Sequence, residues 1–197
     1  ALISSNTSHI NDDIKIVPSY ALSSVSKNYA LRSILYSDFK KAKQESKTKE
    51  IKNIERELWI EPSINDLHKF KEDFIRRDNA EHPLAFDIET AGGRITCIGF
   101  APSSTHAIVV PFTYGYWKND DETKAWDWVR DLLEDKQITK VAQNQSYDVS
   151  WLKYKQDIEV KGIVHDTMHA QHSLQPEMEK GLGFLGSIYT NEGAWKT

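Results

Sequence analysis

The chain has 197 residues, of which 39% are hydrophobic and 27% are charged, a composition typical of a globular protein. Its single cysteine, Cys97, excludes an intrachain disulfide, and no apolar run reaches the roughly 20 residues that a membrane span requires. The net charge of −4 is uneven, because residues 40–56 carry seven Lys or Arg against three Glu, which makes them +4 and the remainder −8. We therefore expect a cytoplasmic protein with no membrane partner, whose oligomeric state the sequence leaves unknown.

Residues 1–56 are predicted to be a helical N-terminal extension. Ala1–Asp13 is rich in Ser, Asn and Asp and is typical of a frayed tail, whereas Ile14–Val17 favours a short strand. Tyr29–Ile54 contains no Gly or Pro and predicts one or two helices. The basic residues near the end of this extension have two interpretations, a solvated helix face or an arm that attracts phosphates.

Residues 57–197 are predicted to form a mixed α/β domain. Hydrophobic patterning indicates strands at 58–60, 84–88, 95–101, 107–112, 138–142 and 163–164, and helices at 64–76, 122–133, 146–154, 166–174 and 182–188. Ser63 is placed to cap the first of these helices, and Gly92-Gly93 to form a tight turn between two strands. Three consecutive strands with short links predict an antiparallel meander, to which further strands and flanking helices are added.

Two acidic segments stand out as candidates for chemistry. Asp87 and Glu89 are two positions apart on a predicted strand, so both carboxylates project from one face. Like charges at this spacing repel, and a divalent cation such as Mg²⁺, which prefers carboxylate oxygens, would relieve the repulsion. Asp148 follows the strand at 138–142, at a strand-to-helix junction of the kind where α/β folds place ligands. Each acid alone has a structural explanation, because strand ends and first helical turns often carry acids.

Taken together, these segments resemble known nuclease motifs. Phe86-Asp87-Ile88-Glu89-Thr90 resembles the first motif of the 3′–5′ exonucleases with four acidic metal ligands, and Asn144-Gln145-Ser146-Tyr147-Asp148 resembles the second. Residues 57–62, 95–101 and 165–168 resemble the proofreading domain of family A DNA polymerases, and residues 174–185 resemble its bacteriophage-like branch. The resemblance implies a ribonuclease H-like fold for residues 57–197.

The resemblance also implies a reaction, which is removal of nucleotides from a single-stranded DNA 3′ end with two divalent ions, Mg²⁺ or Mn²⁺. Asp87 would bridge both ions, Glu89 would hold the ion that activates water, and Asp148 would hold the other ion through waters. Asn144 and Tyr147 would contact the terminal nucleotide. Thr90 would line the path of the strand.

One part of the family pattern is missing. The resemblance implies a fourth ligand, an Asp beyond Asp166, and residues 167–197 contain no Asp. We therefore expect a fragment of a longer polymerase from a bacterial or phage-infected cell, cut inside the exonuclease domain, with the polymerase domain as a partner. Two alternatives are open: a catalytically silent DNA-binding scaffold, and a 3′–5′ ribonuclease of the same fold. Upstream, Val17-Pro18-Ser19-Tyr20 faintly resembles the end of a uracil-DNA-glycosylase-like segment, but Val17 replaces the expected His, which argues against that activity.

Two further residues are expected to be structural. Asp166 precedes a predicted helix and is expected to cap it. Cys97 lies in an apolar strand and is expected in the core. His165, His169 and His172 lack the partners that a zinc site requires.

Overall fold

The structure is a computed structural model that describes residues 16–48, 54–77 and 81–190. The chain forms two compact units, one of residues 54–167 and one that combines residues 1–53 with 168–197. The predicted tail Ala1–Asp13 lies outside the described residues, and the boundary predicted at residues 56 and 57 stays a prediction. No described helix combines the length and the apolar character needed to cross a membrane.

The described residues form helices and strands close to those predicted. In chain order they are α1 (Leu22–Lys27), α2 (Leu31–Glu45), β1 (Glu57–Trp59), α3 (Ile64–Phe74), β2 (Leu84–Ala91), β3 (Arg94–Ala101), β4 (His106–Pro111), α4 (Asp121–Glu134), β5 (Lys140–Ala142), α5 (Gln145–Gln156), β6 (Val164–Asp166), α6 (Thr167–Leu174) and α7 (Leu182–Tyr189).

The strands form one six-stranded sheet in the order β1-β4-β3-β2-β5-β6. The pairs β2–β3 and β3–β4 are antiparallel, which confirms the predicted meander. The pairs β1–β4, β2–β5 and β5–β6 are parallel. Gly92 and Gly93 both have positive φ, at 58° and 76°, and form the predicted turn between β2 and β3. The mixed α/β class is therefore confirmed.

The apolar core lies on one side of the central strands. Phe86 and Ile88 on β2 are buried, and the strand residues between and after them are exposed. Phe100 on β3 is buried on the same side, where its ring contacts Trp128 of α4 edge-on, with centroids 5.6 Å apart. The helix α3 begins at the predicted cap, because Ser63 and Asp66 form a reciprocal capping box. The opposite side of β2 is left for polar residues.

The second unit contains a small helical core. Ile34 and Leu35 of α2 and Leu185 of α7 are buried. On the same side of α2, Ser37 Oγ donates to the carbonyl of Ile188 at 3.2 Å. Lys41 Nζ donates to the carbonyls of Ser187 and Thr190, at 2.8 and 2.6 Å. One face of α2 therefore packs against α7 and hydrogen-bonds to its C-terminal end.

Candidate active site

The strand β2 delivers Asp87 and Glu89 to the exposed face of the sheet, as predicted from their spacing. The pairing of β2 with β3 shifts register between Glu89 and Thr90, which leaves Thr96 as the extra residue on β3. Thr96 Oγ1 donates to the carbonyl of Glu89 at 3.0 Å and so holds the irregular position. The sequence did not indicate this bulge, although it lies directly after the two carboxylates.

Cys97 lies on the carboxylate side of the sheet, not in the core, so its predicted placement was wrong. It pairs with Glu89 across the β2–β3 ladder and is half-buried. Burial raises the pKa of the Cys97 thiol, and the negative charges of Glu89 and Asp87 raise this pKa further. The thiol is therefore a neutral neighbour of the two acids.

Asp148 of α5 is buried beside these acids. Its Oδ1 accepts the backbone N–H of Ile88 at 2.9 Å, and Ile88 stands between Asp87 and Glu89 in the chain. Burial is the main cause that raises the pKa of Asp148 to about 6, and the charge of Asp87 adds to it, whereas the bond from Ile88 acts in the opposite direction. A single hydrogen bond thus brings the second acidic segment to the first.

Thr90 and Tyr147 are also brought together. Their hydroxyl oxygens are 2.7 Å apart and share a hydrogen bond. Tyr147 is 46% exposed, and its ring lies 6.1 Å from that of Trp151 in a tilted arrangement. Both residues were predicted as nucleic-acid contacts, and this remains a prediction. Thr90 directly follows Glu89 in the chain, and Tyr147 directly precedes Asp148.

Asp166 holds the start of α5 and also stands directly before α6. It ends β6, and its carboxylate accepts the N–H groups of Asn144 at 3.1 Å and Gln145 at 2.9 Å, whereas the cap predicted for α6 stays a prediction. Asn144 is in the left-handed region, with φ 56° and ψ 48°, and its own side chain makes no cap hydrogen bond. Asp166 therefore caps α5, the helix that carries Asp148. This contact depends on the pairing of Ala142 with Asp166, which the sequence alone did not reveal.

The donor chemistry of the three acids suits a hard divalent cation. Asp87, Glu89 and Asp148 offer only carboxylate oxygens, and the repulsion between Asp87 and Asp148 is of the kind that a cation relieves. Within residues 16–48, 54–77 and 81–190, no group of three or more His, Cys, Asp or Glu side chains is already arranged as a metal site. The chemistry of these three residues therefore fits a divalent cation.

The comparisons with known sequences define the class. The chain belongs to the 3′–5′ exonuclease family, whose sequence model matches residues 62–195, more than half of the chain. No curated protein sequence matches it.

Solved structures share the fold at low sequence identity. The EXO domain of Aedes aegypti Nibbler is 12% identical, with 72% of this chain and 73% of that chain covered and a TM-score of 0.55. Escherichia coli RNase D, described as an exoribonuclease involved in structured RNA processing, is 15% identical over 71% of this chain and 34% of its own, with a TM-score of 0.53.

Brucella melitensis NrnC with bound Mg²⁺ is 21% identical over 69% of this chain, with a TM-score of 0.43, and the present chain spans 61% of its length. The family match and the fold shared with the first two structures confirm the predicted ribonuclease H-like exonuclease fold.

Proposed function

We propose that the chain hydrolyses phosphodiester bonds stepwise from a single-stranded 3′ end, with two divalent ions as cofactors. The observation that carries the proposal is the bond from the Ile88 N–H to Asp148, which joins the two acidic segments into one site. Membership in the 3′–5′ exonuclease family supports the reaction type.

Asp87, Glu89 and Asp148 would hold the ions, Mg²⁺ or Mn²⁺. Bound ions of this kind acidify an attacking water and stabilise the leaving 3′ oxygen. The chain itself supplies orientation. Ile88 fixes Asp148 against β2, and Asp166 fixes the first turn of α5. The rigid positions of these groups limit the reorganisation that the reaction would require.

Three neighbouring residues would bind the strand. The half-exposed ring of Tyr147 offers a stacking surface for a terminal base, and its hydroxyl is oriented by Thr90. Asn144 starts α5 without using its side chain as a cap, which leaves its amide for polar contacts with a nucleotide. These contacts involve stacking and backbone recognition, and we expect little sequence preference.

Single-stranded DNA is the proposed substrate, on the resemblance to polymerase proofreading domains. RNA is the alternative, favoured by the fold shared with RNase D, an exoribonuclease. A polymerase domain of the same longer protein stays a predicted partner. A catalytically silent DNA-binding scaffold stays the alternative to a nuclease.

The test uses purified chain, a 5′-labelled 20-nucleotide DNA and an RNA of the same sequence, with Mg²⁺ or Mn²⁺. We expect a ladder of products shortened from the 3′ end, abolished by EDTA. The Asp87→Asn variant should lose activity by about 100-fold or more, beyond the effect typical of changes around a ligand.

The matched control is Asp127→Asn, an exposed acid on α4, which packs against the opposite side of the sheet. Its activity should equal that of the wild type. Both strands left intact at high enzyme concentration with Mn²⁺ would refute the nuclease proposal and favour the scaffold. The DNA and RNA arms decide between the two substrates.

A further inference from the structure

The helix α2 has an outward face that the proposed site does not use. Tyr36, Phe39, Lys40, Lys43 and Lys47, called here the basic–aromatic stripe, are all exposed. Successive offsets of three and four residues align them on one side of a helix, and Lys47 continues this line in the turn after Glu45. The buried Ile34 and Leu35 and the residues bonded to α7 lie on the other side.

The aromatic members are unusually open to solvent. Tyr36 is 70% exposed and Phe39 is 57% exposed. Both rings line one surface groove with the three lysines of the stripe and Gln44. A groove that combines exposed rings with cations differs from an ordinary solvated helix face, because solvation alone requires no rings.

The charge of the stripe is uncompensated by its neighbours. Among the described residues, no carboxylate forms an ion pair or hydrogen bond with the ammonium groups of Lys40, Lys43 or Lys47. Asp38 points to the opposite side, where it accepts the hydroxyl of Ser19 at 2.6 Å. The exposed residues of 31–48 include no acid, although the whole chain carries −4. The stripe is therefore a local positive surface on an acidic protein.

We propose that the basic–aromatic stripe binds single-stranded nucleic acid. Its lysines would neutralise phosphates, and Tyr36 and Phe39 would stack with bases, the combination that non-specific single-strand binding uses. From Tyr36 to Lys47 the stripe is about 16 Å long at a helical rise of about 1.5 Å per residue, enough for a few nucleotides. The choice of nucleic acid rests on the proposed function, whereas the surface itself rests on the side chains of α2.

Binding is measured by fluorescence anisotropy, with a fluorescein-labelled 20-nucleotide oligothymidylate in EDTA, which prevents hydrolysis. The binding constant K falls with salt, and each neutralised phosphate contributes about −0.7 to the slope of log K against log salt. Losing three phosphate contacts, the triple Lys40→Gln, Lys43→Gln, Lys47→Gln variant should therefore have a slope that is shallower by about 2. The charge-matched control is the triple variant Lys27→Gln, Lys118→Gln, Lys136→Gln, which replaces three other exposed lysines. Its slope should stay close to that of the wild type.

The aromatic contribution is tested separately. The variants Tyr36→Ser and Phe39→Ser should each weaken binding by about fivefold or more while the salt slope stays constant. Circular dichroism confirms that every variant is folded. Affinity and slope equal to the control in the lysine variant would overturn the proposal. A wild type with no measurable binding would also overturn it and would indicate a different partner, such as an acidic protein.

The proposed hydrolysis has its own readout. The dinucleotide pTpT is shorter than the stripe and offers it at most one or two phosphates, so the lysine variant should cleave it at the wild-type rate. The same variant should lose kcat/KM on the 20-nucleotide strand. A wild type that binds the strand in EDTA but cleaves neither substrate would refute the proposed hydrolysis and leave the stripe intact.

Discussion

The Asp148→Asn variant should fold more stably than the wild type at neutral pH without divalent ions. Burial and the charge of Asp87 raise the pKa of Asp148 from its ordinary value of 3.8 to about 6. At about 1.4 kcal/mol per pKa unit, the charged carboxylate costs the folded state about 3 kcal/mol. The amide has nearly the same shape and carries no charge, and its oxygen can still accept the N–H of Ile88.

The pH dependence has a defined sign. The raised pKa means that the folded state binds the proton of Asp148 more tightly than the unfolded chain does. The resulting stabilisation of the wild type is fully present below about pH 3.8 and is lost as the pH rises through about 6. The variant lacks this titration, so its advantage should grow from about 0.5 kcal/mol at pH 4 to about 3 kcal/mol at pH 7.5.

Urea denaturation in EDTA at pH 4 and pH 7.5 measures this difference. Tryptophan fluorescence is a suitable signal, because Trp59, Trp117, Trp126, Trp128 and Trp151 all lie in the 54–167 unit. Adding Mg²⁺ at pH 7.5 should stabilise the wild type more than the variant. The reasoning is refuted if the variant has no advantage at pH 7.5, or if its advantage is the same at both pH values. Asp127→Asn, which changes an exposed acid, is the control.

Three further predictions concern the contacts around the site. Asp166→Ala should lower kcat by about 10- to 100-fold with little change in KM. Asp166→Asn should recover only part of this loss, because its amide has one acceptor oxygen for the two N–H groups. Steady-state kinetics that show a wild-type kcat in Asp166→Ala would contradict its role as a cap of α5. Thr90→Val and Tyr147→Phe each remove the 2.7 Å hydrogen bond between the two hydroxyls. A double-mutant cycle of unfolding free energies in urea should give a coupling energy of about 1 kcal/mol, and a coupling of zero would show that the bond does not stabilise the fold. Lys140→Met should lower the free energy of unfolding, measured in urea, by about 3 kcal/mol or more. The reason is that three backbone carbonyls lose the buried ammonium group that donates to them at 2.6 to 3.0 Å. A smaller loss would show that water takes the place of the ammonium group.

The fold was predictable where one local signal decides the structure. On β2 the alternation of buried and exposed residues separates Phe86 and Ile88 from Asp87 and Glu89. A tight turn with positive φ favours glycine, which explains Gly92 and Gly93. The unpaired N–H groups at a helix start favour a side chain that can accept a hydrogen bond, which explains Ser63. Each of these signals lies within a few residues of the feature that it predicts.

The contacts that were missed depend on strands distant in the chain. Asp166 reaches α5 only because β6 pairs in parallel with β5, about 20 residues earlier. Cys97 lies on the polar side because of its register opposite Glu89, which an apolar sequence alone does not specify. For Asp166 and Cys97 the partner was set by strand register, not by neighbours in the chain.

Lys140 is a separate case. It is fully buried, contrary to the general rule for lysine, because the carbonyls of Asp135, Ile138 and Lys161 converge on its ammonium group.

The position of Asp148 follows from where the sheet pairing stops. The pairing of β2 with β5 ends at Ala85 and Val141, so β5 does not extend along β2 as far as Ile88. The N–H of Ile88 instead donates to the Asp148 carboxylate. If β5 were longer, one of its backbone carbonyls would accept this hydrogen bond. A longer β5 would satisfy the same donor at lower electrostatic cost, but it would exclude the third carboxylate. The short strand therefore exchanges some stability for a cluster of acids, which is the pattern expected when a charged site serves chemistry.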